Sequence, residues 1–66
     1  MEKFKLLVDT VKKAEPYIIK MSESEYQKRK AETLKDAADT GNLNVYNFMV
    51  EVFELLDNKR VLKQNG

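Results

Sequence analysis

The twelve residues Val45–Leu56 carry nine large apolar side chains and three polar ones. No other stretch restricts the fold so strongly. A half-buried strand would alternate apolar and polar positions. Here the polar residues Asn47, Glu51, Glu54 and Asn58 recur every three or four positions, which is helical spacing. On a helical wheel these four occupy an arc of roughly 60°. Leu55, Phe48, Val52, Val45, Leu56, Met49, Phe53, Tyr46 and Val50 fill an arc of roughly 220°. A helix this apolar needs cover on more than one side, so it is expected to be the central element of an all-α fold.

Two further helical patterns precede it. In the first, Phe4, Leu7, Val8, Val11 and Ala14 form an apolar stripe, with Lys5, Asp9, Lys12 and Lys13 on the other side. It begins near Glu2. Pro16 lacks a backbone donor and disfavours helical geometry at Glu15, yet Ile18 and Ile19 continue the stripe. The favoured reading stops the helix near Ala14 and starts a short helical turn with Pro16 at its first position. The other reading is one kinked helix to about Lys20.

The second pattern spans about Glu23 to Thr40. Ser22 and Glu25 have capping-box spacing, and Ser24 with Gln27 repeats it one step later. Glu25–Arg29, Lys28–Glu32 and Lys35–Asp39 are spaced to pair along a solvated face. The apolar face is thin: Tyr26, Ala31, Leu34, Ala37 and Ala38. Gly41 is the expected stop, with positive φ. The third helix then starts from a cap at Asn42 or Asn44 and runs to about Asn58. Beyond that, a continued helix would place Lys59, Arg60 and Lys63 on the apolar face.

The expected architecture is therefore a single three-helix domain over residues 1–66, with an extra short turn after Pro16 as a variant. A chain of 66 residues has little margin of core burial over chain entropy. It has no cysteine and no histidine. That removes disulfides and the usual zinc, haem and iron–sulfur ligand sets, and no cofactor is expected. No apolar run approaches the length of a membrane span, and the N-terminal residues do not form a secretory leader. A cytoplasmic location is expected.

No enzymatic chemistry is expected. Ser22 and Ser24 lack a histidine base and read as helix caps. Asp36, Asp39, Glu51, Glu54 and Asp57 fall on expected solvent faces or helix ends, not as a pair in a pocket. The segment from Asp36 to Gly41 has a calcium-loop glycine but not the intermediate acids or the closing glutamate. A helix-turn-helix reading is the stronger competitor, since Gly41 separates two helices and Ala37 precedes it by four. Its recognition helix would have no Lys or Arg between Val45 and Asn58, and Glu51 and Glu54 would repel phosphate. The alternative nucleic-acid surface is the second helix, with Lys28, Arg29, Lys30 and Lys35, diluted by Glu23, Glu25 and Glu32.

Two short helices are too little to shield the whole apolar arc, and large exposed apolar patches mark interaction sites. The function expected is protein–protein interaction: a small regulator, inhibitor or adaptor that binds another protein or itself as a homodimer. Val45, Met49, Val52 and Leu56 lie opposite the polar stripe and are expected in the core. Tyr46, Val50, Phe53, Phe48 and Leu55 are the candidate interface residues, with Tyr46 as anchor. Charge is divided as well: residues 1–35 carry a net +3 and residues 36–57 a net −5, which can orient an antiparallel association.

Overall fold

A computed structural model describes the backbone of residues 2–65 and the side chains of residues 4–61. Three helices follow one another, α1 (Glu2–Lys20), α2 (Glu23–Asp39) and α3 (Leu43–Asn65), with no strand among the described residues. α1 does not stop near Ala14; it passes through Pro16, and no separate turn follows the proline. The physical reason lies in the two faces of this segment. Pro16 and Lys12 are exposed, so water can serve the Lys12 carbonyl that would otherwise receive an amide from position 16. On the opposite face Ile18 is buried and Ile19 half-buried, and their burial holds the chain in helical register.

The caps follow the sequence closely. The Ser22 hydroxyl accepts the Glu25 amide at 3.1 Å, which satisfies one of the unpaired donors of the first turn of α2. At the far end Thr40 is the last residue in right-handed geometry, and its hydroxyl donates to the Ala37 carbonyl at 2.6 Å. Gly41 then turns the chain with φ of 72°. Asn42, not Asn44, caps α3: its Oδ1 accepts the amides of Asn44 at 3.0 Å and Val45 at 3.3 Å.

α3 packs against both other helices, while α1 and α2 barely touch each other. The molecule is accordingly broad and thin, 36 × 28 × 15 Å. Contacts of Tyr26 and Lys30 with Asp57 make α2 antiparallel to α3. Contacts of Lys59 with Glu15 and Arg60 with Ile18 bring the ends of α1 and α3 together, so these two run parallel. The buried cluster joins Val11 and Ile18 of α1, Tyr26 of α2, and Val52, Phe53 and Leu56 of α3. Leu7, Ala14, Met21, Leu34, Phe48 and Met49 pack around it, half-buried. The covered face of α2 is rotated from the expected one: Tyr26 and Ala37 are buried and Lys30, Thr33 and Leu34 half-buried, whereas Ala31 and Ala38 are exposed.

α3 also departs from expectation at its end. It does not finish near Asn58 but runs to Asn65. Arg60 does fall on the apolar face, at 6% exposure, and it is kept there by carbonyls at the end of α1. Val61 falls on the polar side and is exposed.

Candidate functional site

The two ends of the molecule differ. Where α1 turns into α2, Arg60 fills the junction. Its Nη1 donates to the carbonyls of Ile18 at 2.6 Å and Met21 at 3.2 Å, and its Nη2 to Glu23 at 3.2 Å. The guanidinium carbon lies 4.4 Å above the centre of the Tyr26 ring, a cation–π arrangement. The same ring leans on Phe53, with centres 6.2 Å apart. The Tyr26 hydroxyl donates to Asp57, and Lys30 reaches the other Asp57 oxygen at 2.8 Å. Asp57 is thus half-buried and paired, not on the open solvent face expected for it.

This network fixes its own protonation. Burial raises the Tyr26 phenol strongly, the Asp57 hydrogen bond and charge add to it, and Arg60 opposes. Burial also pushes the Asp57 carboxyl up, but hydrogen bonds from Lys30 and Tyr26, with the charges of Lys30 and Arg60, outweigh it and hold the group below its ordinary value. The pair is a neutral phenol and an ionised carboxylate through the neutral range. A shallow cavity of about 440 Å³ beside it is lined by Glu23, Tyr26, Gln27, Asp57, Arg60 and Val61. No buried side-chain polar atom among the described residues lacks a partner. The groups here satisfy each other, and what they do together is hold the three helices at one end.

The opposite end is built from the N-terminal turns of α1 and α3 and the C-terminal turn of α2. Phe4 continues the face of α1 that holds Val11, yet it is 68% exposed. Val45 lies one and two turns from Met49 and Val52, yet it is 40% exposed. Leu43 is exposed too, with Phe48 and Met49 half-buried beside them along α3. Phe4 and Val45 point as core positions do, but α1 and α2 barely meet, so nothing closes the space over them. Next to Val45, a pocket of about 280 Å³ is lined by Ala38, Gly41, Asn42, Leu43 and Tyr46.

The expected interface residues do not form one surface. Phe53 is 5% exposed and belongs to the core, because α2 lays Tyr26 against it; it is not available to a partner. Tyr46 and Val50 are half-buried toward α2, and Phe48 is half-buried in the packing around the core. Leu55 is exposed, beside the polar stripe of Glu51, Glu54 and Asn58. Val45, expected in the core, is instead open to solvent for want of a covering helix, whereas Val52 and Leu56 are buried as expected and Met49 half-buried. Phe4 and Val45 were the residues that periodicity could not identify. Their spacing is that of core, and no sequence signal tells where the covering helix falls short.

On the basic side of α2, Lys30 is committed to Asp57, while Lys28, Arg29 and Lys35 are exposed. Among the described residues the ion pairs bridge helices, Lys59–Glu15 at 3.1 Å and Arg60–Glu23 at 3.2 Å besides Lys30–Asp57. No helix among the described residues is long and apolar enough to cross a membrane. Compared with protein-family models, with curated proteins and with solved structures, the chain matches none.

Proposed function

We propose that this chain is a protein-binding module, a small regulator, inhibitor or adaptor of the cytoplasm. Its recognition surface is the uncovered apolar end formed by Phe4, Leu43, Val45 and Tyr46. The observation that carries this reading is the exposure of Phe4 and Val45, 68% and 40%, on the very faces with which their helices build the core. Core-type positions left in water are unfavourable by about 25 cal/mol per Å² of apolar surface, and a partner that covers them recovers that free energy. The interlocked network around Arg60 supports the same view from the other end. It fixes the angle of three helices and so presents their open ends as a preformed surface.

The test is capture with the immobilised chain in two forms, wild type and Val45→Glu, using extract of its own host. Val45 is exposed, so the variant keeps its helical circular dichroism. A protein retained by the wild type and lost with Val45→Glu, a second copy of the chain included, is the expected result. Identical retained sets, or none with either form, would overturn the reading.

A further inference from the structure

We infer that the outward face of α1 rests on an anionic lipid surface, without crossing it. The feature is a ridge along the helix. Leu6, Lys13, Tyr17 and Lys20 fall within an arc of roughly 60° on the helical wheel, and all four are exposed. Leu6 is 58% and Tyr17 71% exposed, with Lys13 between them on the ridge. Lys5 and Lys12 stand on the same outward side and are exposed too. The ridge is turned away from the stripe through Val11 and Ile18 that α1 lays against the core. It is therefore separate from the uncovered apolar end, and the inference does not rest on that surface.

Charge says what the ridge fits. The exposed side of α1 between Lys5 and Lys20 carries four lysines, Lys5, Lys12, Lys13 and Lys20, against one acid, Asp9. None of the four lysines takes part in an ion pair among the described residues. Glu15, the other acid of this stretch, is half-buried and held by Lys59 at 3.1 Å. Glu51 and Glu54 belong to the stripe of α3 that α1 does not cover, so a negative surface under α1 does not face them. Basic clusters on a helix recognise anionic headgroups, and each lysine near such a surface strengthens binding about fivefold. The apolar members choose among anionic partners. Nucleic-acid phosphates offer nothing to bury a leucine. The headgroup boundary takes in leucine, and it favours tyrosine, whose ring and hydroxyl suit its apolar and wet sides. Leu6 and Tyr17 lie about 16 Å apart along the helix, too far for one anchor in a protein pocket and no obstacle on a continuous lipid surface.

Co-sedimentation of the full chain with lipid vesicles tests this directly. The wild type should pellet with vesicles of equal parts phosphatidylcholine and phosphatidylserine but not with phosphatidylcholine alone, and raised salt should weaken the binding. The double variant Lys13→Glu with Lys20→Glu should weaken it more than about tenfold. The double variant Leu6→Ser with Tyr17→Ser should weaken it by about tenfold, through the loss of apolar burial. All four positions are exposed, and circular dichroism checks that each variant folds as the wild type does. A wild type left in the supernatant with the anionic vesicles at low salt, or one that pellets equally with both kinds of vesicle, overturns the inference. Undiminished binding by the glutamate variant overturns its placement on α1. Undiminished binding by the serine variant, with duplex DNA bound as well as the vesicles are, is the behaviour of a general polycation and overturns the lipid assignment. The capture experiment with Val45→Glu concerns another surface, so either can fail without the other.

Discussion

Arg60 closes the end of α1: its guanidinium donates to the Ile18 carbonyl at 2.6 Å across forty-two positions of sequence. The last carbonyls of any helix lack intrahelical donors, and a buried one must find a partner elsewhere. Replacing Arg60 by Met keeps much of the apolar stem but removes the charged donor shared by the Ile18 and Met21 carbonyls, leaving Ile18 with only the Met21 amide at 3.2 Å. We expect a loss of about 2–3 kcal/mol, read as a lower denaturant midpoint. Arg60→Lys should fall between the two, since an ammonium cannot span both carbonyls and Glu23 as a planar fork does.

Tyr26 and Asp57 set the acid limb of stability. The folded Asp57 pKa lies below its ordinary value of 3.8, so folding favours the ionised form. Its contribution is fully present above that value and is lost as pH falls through the lower, folded one. Stability measured by urea titration between neutral pH and strongly acid pH should decline in that window. In Asp57→Asn the decline should be shallower. An equal acid slope in both proteins would assign the effect to other carboxylates.

Gly41→Ala should destabilise by about 1 kcal/mol. A methyl group at this position would meet no atom within 4 Å, so crowding contributes nothing and the whole cost comes from holding φ at 72°. Gly41→Asn should cost less, because asparagine tolerates left-handed geometry better than alanine does. Chemical denaturation of the three proteins checks both the sign and the order.

Pro16→Ala should stabilise, by up to about 3 kcal/mol. The proline sits inside α1, and alanine restores the amide that the Lys12 carbonyl lacks. A thermal melt that moves down instead would mean that the proline's restriction of the unfolded chain outweighs its cost in the helix.

Much of this fold is written locally. The Ser22 cap, the Gly41 turn, the stripe through Val11 and Ile18, and the burial of Val52 and Leu56 each follow from residues a few positions apart. Arg60 shows where that reading stops. By periodicity an arginine on the apolar face ends a helix, but its partners here are backbone carbonyls of Ile18 and Met21. A carbonyl has no letter in the sequence, and these two become available only after the helices have packed. Pro16 was misleading for a similar reason: its local penalty is set against the burial of Ile18, a tertiary gain. At the candidate site, Tyr46, expected as an interface anchor, lines a surface pocket, while Phe4 and Val45, on the expected core faces, are exposed, because exposure depends on where the neighbouring helix ends.

The arrangement of α1 and α2, each resting on α3 and scarcely on the other, has a consequence for the order of folding. Taken without α3, residues 1–42 contain two helical segments with almost nothing to pack against. Isolated helices of 19 and 17 residues are marginal in water, so no native-like folding unit forms from them alone. Val52, Phe53 and Leu56 provide the shared floor, and Arg60 follows them to fasten the junction. Folding of this protein is therefore a single cooperative event that waits for α3, whose apolar face is the surface both other helices share.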